Sequence, residues 1–264
     1  MITYLISILI ISTFLIYLYK KTNRTYWKKP KDKLDKEHQL ILKESVKFYT
    51  KLSDQERILF EYKVEEFLIN VEIIGVETTI DDSDKVLVAA SAIIPIFAFK
   101  EWKYQNLKEV IVYPDNFNMD FEITGPARNI KGLVGTGYMD GKMLLSKAAL
   151  HHGFSNETDK RNTAIHEFIH LIDKADGKVD GIPELLMEEP NQIPWLEYMY
   201  KQIALIQKNK ISDIDEYGAT NEMEFFSVAS EYFFERPKLL EKKHPLLYQK
   251  LEHIFKQDMA ERFK

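Results

Sequence analysis

Residues 162–173 read N-T-A-I-H-E-F-I-H-L-I-D, and this stretch decides the architecture. His166 and His170 stand four residues apart. On a helix that spacing puts both imidazoles on one face, one turn apart, where two ring nitrogens can reach one Zn2+ ion. Glu167 follows the first histidine and can reach a metal-activated water, whose proton a carboxylate can take. The neighbours Ala164, Ile165, Phe168, Ile169, Leu171 and Ile172 are apolar, as a buried active-site helix requires. Burying two imidazoles and a carboxylate so close together without a metal would be costly.

A catalytic zinc takes a third protein ligand and keeps one position open for water. The chain has no cysteine, which excludes disulfides, thiolate sites and cysteine nucleophiles and leaves histidine or carboxylate to complete the set. The later segment N-E-M-E-F-F-S-V-A-S-E-Y-F-F, residues 221–234, offers Glu222, Glu224 and Glu231. Glu224 and Glu231 are seven apart and share a helix face, whereas Glu222 points elsewhere. Spacing alone does not choose between Glu224 and Glu231. Asp173, one turn beyond His170, either receives an imidazole N–H or forms a salt bridge near the helix end. The adjacent His151 and His152 read as exposed loop residues.

Working outward, 264 residues with 45% hydrophobic and 29% charged side chains make an ordinary globular chain with one principal domain. A net charge of -5, with Lys and Arg interspersed among Asp and Glu, argues against a nucleic-acid partner, which would call for a basic patch. Residues 1–19 carry no charged side chain and precede Lys20, Lys21 and Arg24. At about 1.5 Å per residue they span roughly 28 Å, which predicts one transmembrane helix. A cleaved signal peptide would want its positive charges before the apolar run and a small-x-small site after it. The basic cluster that follows predicts a single-pass membrane protein with its catalytic domain in the cytoplasm. Residues 20–36, basic and containing Pro30, read as a juxtamembrane linker, and residues 37–264 as the metallopeptidase domain.

The predicted fold class is α+β: mainly helical, with a small mixed β-sheet, preceded by the N-terminal transmembrane helix. Amphipathic helices are expected over 37–52 and, from the Ser53/Glu56 capping box, to about 71. A further apolar helix follows the N-cap residues 81–83 and is bent by Pro95. Strands are expected near 72–77, 109–113, 133–138 and 142–147, the last as a substrate-facing edge, because the glycine-rich turn leads to the metal helix. Helices should then run over about 157–175, 193–209, 221–235 and 237–261, with a break near Pro245.

H-E-F-I-H-L-I-D, then D-G-I-P at 180–183, then Y-G-A-T-N-E-M-E-F-F-S-V-A-S-E-Y-F-F at 217–234, with V-I-V-Y-P at 110–114 upstream, resembles the Mlc titration factor A family of zinc peptidases. That family's metal site is similar to that of the catalytic domain of anthrax lethal factor. The resemblance covers roughly residues 37–260, and the N-terminal segment departs from it. It implies a gluzincin-like fold, one Zn2+ per chain, and Glu224 as the third ligand beside His166 and His170. It implies that Tyr217, seven residues earlier, stands near the reacting carbonyl, and that Glu231 supports the site, either by orienting a ligand histidine or in a structural role. The implied activity is hydrolysis of a peptide or protein substrate with Glu167 as general base. The alternative it implies is a catalytically weak zinc-binding regulator that captures a partner protein such as a transcriptional repressor.

Overall fold

The computed structural model describes residues 12–13, 27–156, 158–209 and 213–264. The chain runs α1 (Lys36–Ser45), α2 (Lys47–Thr50), α3 (Asp54–Leu68), β1 (Glu72–Gly75), α4 (Asp82–Ile96), β2 (Glu109–Tyr113), β3 (Gly132–Val134) and β4 (Lys142–Ser146). It continues through α5 (Lys147–Ser155), α6 (Thr163–Asp173), α7 (Glu189–Asn209), α8 (Glu222–Glu235), α9 (Pro237–Lys243), α10 (Pro245–Phe255) and α11 (Met259–Arg262). The body is thus mostly helical with one small mixed sheet. Capping boxes open two of the long helices: Ser53 with Glu56 at α3, and Asp81 with Asp84 at α4. Each satisfies backbone donors that a helix start leaves without partners. Pro237 and Pro245 sit in the first turns of α9 and α10, where a missing N–H costs nothing, and so divide the helix expected over 237–261.

The sheet order is β1-β2-β4-β3, with the first three strands parallel and β3 antiparallel to β4. Alternation sorts the side chains of the central strands. Val110, Val112, Met143 and Leu145 enter the main core, while Ile111, Tyr113 and Leu144 form a smaller cluster with Phe117 on the other face. The edge expected at 142–147 is corrected: β4 pairs on both sides and is buried, so its backbone groups are already used, and the short β3 forms the edge on that side.

Helix α6, which carries His166, Glu167 and His170, packs deep in this body. Phe168, fully buried, meets Phe67 at 5.8 Å and Tyr104 at 5.0 Å between ring centroids. Within the stretch 20–36, Trp27 packs on Phe67 and Leu34 is buried in the core.

The transmembrane helix expected over 1–19, and with it the single-pass membrane localisation with a cytoplasmic catalytic domain, is corrected. Among the described residues, no helix is long and apolar enough to cross a membrane. The apolar α4 has only 15 residues, about 22 Å against a hydrocarbon core of about 30 Å. The longer α7 carries Glu189, Glu197, Lys201 and Lys208. Apart from Ser12 and Thr13, residues 1–19 lie outside the described residues.

His151 and His152 lie in helix α5, not in a loop, and each meets an acid: Asp84 for His151 and Asp159 for His152, both at 2.7 Å. Helix α6 starts six residues later than expected because Asn162, in an extended conformation, caps it by accepting the Ile165 N–H.

Candidate metal centre

Helices α6 and α8 lie against each other and run antiparallel, as their pairings show. The Asn162 N–H donates to Glu231 Oε2 at 2.7 Å, His166 Nδ1 meets Glu231 Oε1 at 2.7 Å, and His170 Nδ1 meets Ser227 Oγ at 3.0 Å. Ascending numbers on α6 therefore meet descending numbers on α8. Glu224, Ser227 and Glu231 follow each other at spacings of three and four, which is the stripe one helix face presents.

With each Nδ1 engaged, the Nε2 atoms of both rings point to a common place. Glu224 Oε2 lies 3.0 Å from His166 Nε2 and 3.5 Å from His170 Nε2. The ligand atoms of His166, His170 and Glu224 all fall within 4.8 Å of one another, an arrangement that can hold a metal ion. Two neutral imidazoles and a carboxylate are the donor set that a borderline divalent cation takes. Glu231, the other candidate for third ligand, is turned to the far nitrogen of His166 instead.

The electrostatics fit a cation as well. Burial pushes the Glu167 carboxyl up, and the neighbouring carboxylates Glu224 and Glu231 add to that. Burial also disfavours charge on Glu224, but hydrogen bonds from His166 and His170 outweigh it and hold its pKa at about 2. Burial would lower His166, yet Glu231 and Glu224 outweigh it and raise the imidazole well above its ordinary value. Three carboxylates thus converge on two imidazoles, and a bound cation would compensate them. Among the described residues, none hydrogen-bonds the Glu167 carboxylate, which lies on the wall of an open cleft of about 850 Å3.

Tyr217 stands at the mouth of that cleft, half exposed, its ring 6.0 Å from that of His166. It belongs to a single 3-10 turn, Glu216–Ala219, capped by Asp215, which accepts the Tyr217 N–H at 3.0 Å. Arg161 grips Asp215 with Nε and Nη2 at 3.1 and 2.5 Å, tying the turn to the residue before the α6 cap. Burial, then the charge of Glu224, push the Tyr217 hydroxyl up to about 12.

Among the described residues, Asp173 makes no hydrogen bond or ion pair with His170. It is buried and accepts the Gly181 N–H at 3.0 Å, holding the D-G-I-P loop, while Trp195 Nε1 donates to the Gly181 carbonyl at 2.8 Å. Gly181 has φ +74°, and a Cβ there would meet the Glu222 carbonyl oxygen at 2.5 Å, so that loop requires glycine. Ser227 and Asn162 were not singled out from the sequence. The i, i+3, i+7 stripe of α8 pointed to the first, and an asparagine directly before an apolar periodic run pointed to the second.

Residues 19–256 match the family described as glucose-regulated metallo-peptidase M90. The chain belongs to that family. An uncharacterized protein of Synechocystis is 31% identical over 228 residues, covering 82% of each chain. Mlc titration factor A of Pectobacterium atrosepticum is 26% identical over 235 residues, 83% of this chain and 86% of the relative. The protein of the same name from Cronobacter sakazakii is 28% identical over 221 residues, 78% and 81% of the two chains. Membership of M90 and the His-His-Glu cluster agree on a metallopeptidase-type fold with a place for a metal ion.

Proposed function

We propose that this M90 protein is a zinc-dependent metallopeptidase, with His166, His170 and Glu224 as metal ligands in a domain that comprises residues 37–264 and takes in the core contacts of Trp27 and Leu34 before them. The observation that carries the reading is the division of labour on the two rings: each Nδ1 is held by a side chain of α8, which leaves both Nε2 atoms aimed at Glu224. Zinc there would act as a Lewis acid that polarises a peptide carbonyl and acidifies water. Glu167, buried at the cleft wall with its pKa raised and no competing hydrogen bond among the described residues, takes the proton of the attacking water. Tyr217, whose raised pKa keeps it protonated at neutral pH, donates its hydroxyl proton in a hydrogen bond to the carbonyl oxygen as charge develops. Glu231 and Ser227 hold the ligand rings in place.

A second reading is supported by the name Mlc titration factor A borne by relatives: a catalytically weak, zinc-binding regulator that captures a partner protein. Metal analysis and a broad peptide library separate the two. The enzyme reading expects one zinc per chain, cleavage of peptides, and a Glu167→Gln variant that keeps zinc and loses turnover. Zinc without turnover on any library member supports the regulator instead, and a chain that takes up no zinc sinks both.

A further inference from the structure

Gly132 lies on the edge strand β3 where that strand passes Glu167. A Cβ at this position would stand 2.5 Å from Glu167 Cγ and Oε1 and 2.7 Å from Cδ, well inside van der Waals contact. Both backbones are held by other contacts. Strand β3 is held to β4 by the pairs Gly132↔Leu145, Leu133↔Leu144 and Val134↔Met143. Helix α6 is fixed by the buried Ile165, Phe168 and Ile169. Gly132 is not among the glycines with positive φ, so the backbone conformation does not demand glycine here. What demands it is the room taken up by the Glu167 side chain.

We propose that Gly132 is a positioning residue: the absence of a side chain at 132 sets where the Glu167 carboxylate stands, and any larger residue swings that carboxylate out of place. The proposal rests on the reading of Glu167 as the base. The three atoms nearest a Cβ at 132 all belong to Glu167 and none to His166, His170 or Glu224, so the expected effect is on the base and not on metal affinity.

The test is Gly132→Ala in the full chain, read three ways. Zinc affinity should match wild type. A crystal structure of the zinc-loaded variant should show the Glu167 carboxylate rotated away from its wild-type position. On a cleaved peptide, kcat should fall by on the order of 10² with KM nearly unchanged, while in a Glu167→Gln background the same substitution should subtract little from residual turnover. An unmoved Glu167 with wild-type kcat overturns the proposal, as does an equal loss in the Glu167→Gln background. If Gly132→Ala does not fold, Gly132→Ala/Glu167→Ala should, because the struck atoms are gone; failure of that pair as well counts against the proposal. A wild-type protein that binds zinc but cleaves nothing removes the peptidase reading, and the crystal structure still decides whether residue 132 sets the position of Glu167.

Discussion

Glu231 Oε1 lies 2.7 Å from His166 Nδ1, and its other oxygen takes the Asn162 N–H at the same distance, so one carboxylate fixes both the start of α6 and the orientation of its first histidine. A carboxylate accepts only, so Nδ1 carries a proton toward Glu231, and a metal ion bound beside Glu224 would take the lone pair of Nε2 in place of the second proton. Glu231→Gln should therefore weaken zinc binding by about 10- to 100-fold, the usual effect of losing an orienting partner. Glu224→Gln should weaken it more, because on the proposed reading it removes a ligand. Competitive zinc titration of the two variants compares them directly, and a weaker Glu231 variant would exchange their roles.

Tyr217→Phe keeps the ring beside His166 and removes one hydroxyl. Zinc affinity and thermal stability should be nearly unchanged, while kcat and kcat/KM fall together by on the order of 10² to 10³. Steady-state kinetics that return wild-type kcat would leave the hydroxyl without a part in the reaction.

Asp173 gives a pH dependence of stability whose sign is fixed. Burial first, and the charges of Asp180 and Asp176 after it, push its carboxyl up from 3.8 to about 7, against the Gly181 hydrogen bond. A pKa raised on folding contributes stability that is complete below the unfolded value and is lost as pH rises through the folded one. The window is thus from about pH 4 to about pH 7. Asp173→Asn keeps an acceptor for the Gly181 N–H but does not ionise, so it should gain stability relative to wild type across that window. Urea denaturation at both ends checks this, and an equal difference at both ends would refute it.

Asn162 caps α6 through its side-chain oxygen and donates from Nδ2 to Glu235 at 3.0 Å. Asn162→Ala should cost on the order of 1–2 kcal/mol in denaturant unfolding. Asn162→Asp restores the capping oxygen but adds a carboxylate beside Glu231 and Glu235, so it should recover little of the loss. A fully stable aspartate variant would show that the donor to Glu235 is unimportant.

The sequence by itself determined what local periodicity can carry. His166 and His170 on one face with Glu167 between them, the capping boxes at Ser53 and Asp81, and the shared face of Glu224 and Glu231 follow from 3.6 residues per turn and from side chains that satisfy nearby backbone donors. The lack of cysteine restricted the ligands before any fold was known. Periodicity says which residues share a face, but not what that face meets. Only the antiparallel packing of α6 on α8 turned Glu224 to the Nε2 atoms and Glu231 and Ser227 to the Nδ1 atoms. Only long-range strand pairing put β4 inside the sheet and β3 at its edge, with Gly132 against Glu167. His151 and Asp173 likewise found their partners, Asp84 and the Gly181 N–H, through contacts that depend on how the elements pack. Hydrogen bonds and strand register are made between segments, and a pattern read along one segment does not contain its partner.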